Sequence, residues 1–312
     1  MQHGLQIISG EKIVNLEDWG FDIDAIRIST PEQENIFAEI EGVGGRSLQS
    51  AVHKFTQIEV DVTYNYDFEL DFPLLRDKLQ AMVSSTSPFY IREKRAKEHK
   101  VEFEVPGQKT GAMQTSGTAL ATGKRYKVLR SGTMSFEEAA LYGSGTIVFE
   151  TVGTAYAESV GTSMDIQRNG ISYESGLWSY GMGLQKDPAT WRYSFTSTPR
   201  FYNPSDVDLD DFKMDKVITL RCNSSASYIR IVDNSGNAFR IDRAINSGDV
   251  LTIDKQYIKI NGTNVLKDVT SLYFPIIFKG WNTFVIDGIS SYTVDLDFRF
   301  YYGGGFNWAD VK

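Results

Sequence analysis

Three histidines, one cysteine and forty acidic side chains carry most of the reactive chemistry in this chain. Their spacing decides what they can do. His3, His53 and His99 stand far apart, with no pair at the helical spacing that lets two imidazoles grip one metal ion. Cys222 is alone, which rules out an intrachain disulfide and a cysteine-based zinc site and leaves a half-buried thiol acting as a small apolar group. The Gly-x-Ser-x-Gly elbow of a nucleophilic serine is missing. A phosphate loop requires four residues between its glycines and a hydroxyl after its lysine. From Gly117 to Lys124 there are five intervening residues, and Arg125 stands where the hydroxyl belongs. Gly143-Ser-Gly145 is followed by Val148 in place of the third glycine of a dinucleotide fingerprint.

"DVDLDDFKMDK" (206–216) spaces Asp206, Asp208 and Asp210 as a calcium loop would. However, Asp211 replaces the obligatory glycine and Val217 the closing glutamate, so an acidic solvent loop is expected. A glycosidase needs two carboxylates about 5 to 10 Å apart in an aromatic cleft. Acids and aromatics are plentiful, yet nothing in the sequence selects a pair. Trp178, Trp191 and Trp281 could form a sugar-stacking platform or fill a core, and for tryptophan in a β-protein the core is the expectation. These readings predict a protein that is not an enzyme and has no cofactor and no catalytic or metal-ligating residues.

The elements that would position these residues are strands. Gly (27), Tyr (16) and Phe (19) favour short strands and tight turns over helices. At 312 residues, two domains with separate cores are expected. A net charge of -8 disfavours specific nucleic-acid binding, which depends on cationic side chains displacing counterions. The N-terminal "MQHGLQIISGEKIVNLEDWG" lacks a basic segment followed by an apolar one, and no later run suits a bilayer, so membrane insertion is not expected and synthesis in the cytoplasm is.

From Ile58 to Phe72 apolar or aromatic residues occupy every even position, and Glu59, Asp61 and Asp67 are among the odd ones. This period of two predicts a strand with one buried and one acidic face, bent or broken near Tyr66 because fifteen extended residues would span roughly 50 Å. Leu75, Leu79, Met82 and Val83 then fall at helical spacing, predicting one helix near 73–84. Residues 92–124 read as a long hairpin arm or loop. Beyond Gly161, "KVITLRC", "SYIRIVD", "NAFRID", "DVLTID", "YIKING" and "NTFVID", separated by Asn-Gly and Ser-Gly turns, predict an antiparallel sandwich of jelly-roll type. "YTVDLDFRFYY" reads as a last strand free to pair with either domain. The tail after it carries Phe306 and Trp308, which are candidates for docking on a neighbour.

"SGDVLTIDKQYIKINGTNVLKD" with "FKGWNTFVIDG" resembles the C-terminal sandwich of the distal tail proteins (Dit) of siphophages infecting Gram-positive bacteria, the siphophage tail-component family. The matching steps are Gly248-Asp249, Ile253-Asp254, Ile258 to Ile260, Asn261-Gly262, and Gly280 with Asn282-Thr283. "GVGGRSL", "FPLLRDKLQAMV", "KRYKVLRSGTMSF" and "GTIVFET" resemble the N-terminal ring domain of the same family. The segment around 92–124 departs from that pattern, and no role carries over to it.

The resemblance implies a mainly β chain in three parts. Residues 1–158 would be an N-terminal β-sandwich-like ring domain with one α-helix, 159–290 a galectin-like or jelly-roll β-sandwich, and 291–312 the final strand and tail, free to return to the first domain. It implies a structural hub of the phage tail tip or baseplate, located in the virion. Such a hub is a homo-hexamer around a channel for DNA, meeting the tail tube protein, the tape measure protein and the tail-associated lysin or tip protein, with a receptor-binding protein as a further candidate. Glu59, Asp61 and Asp67 would then face the channel and keep phosphates from adhering. The alternative from a different class is a carbohydrate-binding β-sandwich module.

Overall fold

The computed structural model describes residues 3–39, 44–65, 71–96, 100–101, 115–116, 119–139, 142–172 and 175–303. The chain divides into two compact units, residues 1–156 and 157–312. Among the described residues no helix is long and apolar enough to cross a membrane.

The first unit contains β1 (His3–Ser9), β2 (Lys12–Asn15), β3 (Phe21–Ile28), β4 (Gln33–Glu39), β5 (Arg46–His53), β6 (Gln57–Asn65) and α1 (Asp71–Val83). After the helix come β7 (Phe89–Ala96), β8 (Lys100–Val101), β9 (Thr115–Ser116), β10 (Ala119–Ala121), β11 (Lys124–Arg130), β12 (Phe136–Ala139) and β13 (Tyr142–Thr151). Pairing runs β7-β1-β3-β6-β13-β11, and β11 pairs with β7 again, so the sandwich-like sheet closes on itself. Closure removes the free edges that an open sheet exposes. Among the described residues the seam between β1 and β3 is one residue pair long, His3 with Ile23.

The period of two in β6 does what the sequence predicts: Ile58, Val60, Val62 and Tyr64 are buried, in one cluster with Phe21, Phe89, Ile147 and Phe149. The strand ends at Asn65, however, and Phe72, expected on the same strand face, lies in α1. Phe72, Leu79 and Val83 form the buried stripe of that helix and join the same cluster. The Phe72 ring stacks on Tyr64 at 5.7 Å, so side chains that the sequence pattern assigns to one strand meet as helix on sheet. The rest of the first unit's core is supplied by pairs across the barrel, such as Phe89 against Phe149 at 6.0 Å.

The second unit contains β14 (Ala157–Ser159), α2 (Ser163–Asn169), β15 (Ser194–Phe195), β16 (Arg200–Asn203), β17 (Lys216–Cys222), β18 (Ala226–Val232) and β19 (Ala238–Ile245). It continues with β20 (Val250–Asp254), β21 (Tyr257–Ile260), β22 (Thr263–Asn264), β23 (Val269–Leu272), β24 (Gly280–Thr283), β25 (Val285–Asp287), β26 (Tyr292–Phe298) and β27 (Tyr301–Tyr302). One sheet runs β15-β26-β17-β20-β21-β22, a second runs β23-β19-β18-β25, and β16 pairs with β24 in a separate ribbon. Inward residues alternate along each strand, as in Ile218 and Leu220, Leu251 and Ile253, Val294 and Leu296 from the first sheet, and Ile229, Ile231, Phe239 and Ile241 from the second. This alternation is the signature of a sandwich with one buried side per sheet.

Two expectations need correction here. The segment 292–302 is not one strand. β26 ends at Phe298, and Phe300 exchanges hydrogen bonds with Ser159 before β27 pairs with β14. The helix α2 was not predicted. Its sequence signal is Thr162-x-x-Asp165, where the Asp165 carboxylate accepts the Thr162 N–H at 2.8 Å, as in a capping box.

Candidate functional site

Several of the groups that could have done chemistry are held by other contacts. His53 Nδ1 lies 2.8 Å from Tyr156 Oη. Cys222 is buried, and that burial pushes its thiol up to about 11, away from reactivity. In the acidic loop, Asp206 accepts the Gly303 N–H, Asp208 that of Lys279, and Asp211 that of Lys213. These carboxylates cap backbone in place of converging on one point. Among the described residues no group of three or more His, Cys, Asp or Glu side chains could hold a metal ion. Trp178 is core, packed beside Phe300 at 5.9 Å, as expected. Trp281 departs from that expectation and is 43% exposed.

Glu59 and Asp61 project from the outer face of β6 but do not form a bare acidic stripe. A bulge in β3 between Ile23 and Ala25 shifts its register, setting Arg27 opposite Glu59. The Arg27 guanidinium grips Asp61 through two N–H groups, at 2.6 and 2.9 Å, and Glu59 through a third at 3.1 Å. Thr146 on β13 adds a bond to Asp61 at 2.7 Å. The Asp61 carboxyl is held below its ordinary pKa, by Arg27 first, against an opposing contribution from burial and with help from Thr146. Asp61, Arg27 and Asp24 line an open concavity of about 710 Å³ with the hydroxyls of Thr133, Ser135, Ser144 and Thr146. It offers ion pairing and hydrogen bonding. Asp67, Phe306 and Trp308 lie outside the described residues.

The feature that sequence reading missed is the hairpin of β4 and β5. Among the described residues neither strand pairs with a third. Phe37 sits opposite Leu48 on one face, while Ile36 and Val52 lie on the other by strand alternation. All four are 43–56% exposed. Arg46 covers part of the Phe37 ring, with its guanidinium carbon 4.7 Å from the ring centroid, and Lys54 pairs with Glu34 near the base. The turn signal, Gly42-Val-Gly-Gly45, is visible in the sequence. The strands beside it escape notice because neither shows a buried alternation to read.

Residues 211–302 match the family described as "Siphovirus-type tail component, C-terminal domain". No curated protein matches the sequence. Among solved structures, the chain is similar to SPP1 Dit (gp 19.1), described as a paradigm of the hub adsorption apparatus in Gram-positive infecting phages, with a TM-score of 0.62 and 11% identity. That match covers 96% of this chain and all of the other. A chain of the phage p2 baseplate in its activated conformation aligns with a TM-score of 0.39 and 10% identity, over 95% of this chain and 97% of that one. The SPP1 likeness concerns fold, and the family match concerns the β-sandwich sequence from Asp211 to Tyr302. The resemblance first read from short motifs is therefore supported: residues 211–302 match the C-terminal domain of a siphovirus-type tail component, and the chain as a whole shares its fold with SPP1 Dit.

Proposed function

We propose that this chain is a structural hub of a siphophage tail tip, acting as a homo-hexameric ring around a passage for DNA and making or breaking no covalent bond itself. The carrying observation is the β4–β5 hairpin. An isolated two-stranded hairpin is marginal in water, and one with large apolar side chains on both faces gains stability only by placing them against another surface. A neighbouring copy of the same chain supplies such a surface at no extra genetic cost. A contact between two different patches repeats around an axis until the ring closes.

In this reading Glu59, Asp61 and Asp67 face the channel, and the pairing of the first two with Arg27 leaves their stretch of wall less acidic than the sequence suggests. A weakly charged wall still repels no less than it attracts, which suits a passage through which phosphates must slide. The tail tube protein, the tape measure protein and the tail-associated lysin or tip protein are the axial partners, with a receptor-binding protein on the outer sandwich and Phe306 and Trp308 docking on a neighbour. The protein then resides in the virion.

Native mass measurement and negative-stain imaging of the full chain, alone and with tail tube protein, test this. Closed rings of six are expected for the wild type, and folded monomers for Phe37→Asp with Leu48→Asp. A wild type that stays monomeric in both settings overturns the ring. Rings that persist in the double variant overturn the hairpin as its contact.

A further inference from the structure

The Gly280-Trp-Asn-Thr283 strand β24 pairs with β16 so that Tyr202 stands directly opposite Trp281. The residues flanking the indole are fixed by the fold. Gly280 adopts a positive φ of 81°, which favours glycine. Asn282 is fully buried; its carbonyl oxygen accepts the Phe278 N–H at 2.8 Å, and its amide donates to the Phe278 and Gly280 carbonyls at 2.7 and 3.0 Å. Asn203, also fully buried, donates to the Phe278 carbonyl from the partner strand. Asn234 pins the outer side, donating to the Trp281 carbonyl at 3.0 Å and accepting the Thr283 N–H at 2.8 Å. The ribbon is thus rigid on both sides, and nothing in its construction requires a tryptophan at 281.

The Trp281 side chain instead builds an outward corner. The Tyr202 ring meets it at 67° with centroids 5.5 Å apart, and the Arg200 guanidinium lies over one face of the indole, its carbon 4.9 Å from the ring centroid. Gln185 donates to Tyr202 Oη at 3.1 Å. Among the described residues, the indole N–H and the Arg200 N–H groups have no protein acceptor, and the Gln185 side-chain oxygen has no protein donor. One face of the indole is therefore covered by a cation, and the rest of this small apolar surface lies beside open donors and one open acceptor. A stable protein interface buries about 800 Å² on each side around a cluster of apolar anchors, and this corner offers a single indole. A sugar ring needs much less: a flat patch for its C–H face, and donors and acceptors for the hydroxyls at its rim.

We propose that Trp281, Tyr202, Arg200 and Gln185 form a saccharide-binding subsite, with a pyranose ring against the part of the indole that Arg200 leaves open and its hydroxyls or carboxylate met by Arg200 and Gln185. The subsite is independent of ring assembly. The test uses the full chain on an immobilised panel of neutral, amino and acidic pyranose oligosaccharides, with hits titrated calorimetrically. A single-ring site is expected to bind with a Kd on the order of 0.1 to 1 mM. Trp281→Ala should weaken a hit about tenfold or more, and Trp281→Tyr should restore part of the loss. Arg200→Ala should act chiefly on acidic sugars. An unchanged melting curve for Trp281→Ala assigns the loss to the surface. A wild type that retains no glycan on the panel overturns the proposal, and so does a hit bound equally well by Trp281→Ala. If no glycan binds and Trp281→Ala instead loses a tail protein, the patch belongs to that protein and the proposal fails.

Discussion

The two hairpins β4–β5 and β20–β21 are built from similar material and end differently. In β20–β21, Leu251, Ile253, Ile258 and Ile260 all point into the sandwich and are buried, while Thr252, Lys259 and Tyr257 stay towards solvent. In β4–β5 the apolar residues are divided between both faces and none is buried. The first hairpin is completed by its own chain, whose neighbouring strand β17 covers one edge while β22 covers the other. Among the described residues the second gains no third strand on either edge, and in the proposed function its apolar side chains serve an encounter. The contrast separates residues that make the fold from residues that use it.

Folding stability can break this contrast in four places, taken from the largest effect downward. Leu251→Ala leaves a cavity in a closed core and should cost about 2 to 5 kcal/mol in chemical denaturation; a loss below about 1 kcal/mol would mean that β20–β21 is not the finished element described. Lys216, on β17, comes next. Its ammonium is buried, donating to the Leu209 and Pro275 carbonyls at 2.9 and 2.8 Å, and burial lowers its pKa from 10.5 to about 8. Between those values the unfolded chain holds a proton that the folded chain has released, so stability should rise with pH across that window, by up to about 3 kcal/mol. Lys216→Met should flatten the slope measured from pH 8 to 9.5, and an unchanged slope would contradict the assignment.

The turn after β21 follows. Asn261 sits at a φ of 50°, accepts the Val250 N–H at 2.9 Å and donates to Asp249 at 2.8 Å. Asn261→Ala loses both bonds in a strained conformation and should cost about 1 to 2 kcal/mol, read as a fall in denaturation midpoint at constant slope. The smallest effect belongs to the unfinished hairpin: Phe37→Asp with Leu48→Asp should change monomer stability by no more than about 0.5 kcal/mol. A loss comparable to that of Leu251→Ala would show that β4–β5 already packs within its own chain and would remove the contrast.

The same distinction explains what could be read from the sequence. β6, β17, β20 and β21 were legible because a buried face imposes alternation, and alternation survives in one-letter code. The Asn261-Gly262 reversal was legible because positive φ selects those residues. The closure of the first sheet through β7 and β11 was not, since pairing between strands 35 residues or so apart leaves no local pattern. Arg27 gave no hint of its partners for a related reason: its contact with Glu59 and Asp61 depends on a bulge that shifts β3 by one residue. The hairpin strands and the exposure of Trp281 escaped because apolar side chains that face solvent leave no burial pattern in the sequence.

The strand that carries Trp281 has a consequence for change over time. Its glycine and asparagine secure the backbone from below, so the one outward position between them behaves as an interchangeable fitting: a different side chain can be mounted there without redesigning the support. A protein made this way can alter what its exterior encounters by single replacements, while the parts that keep it folded stay as they were.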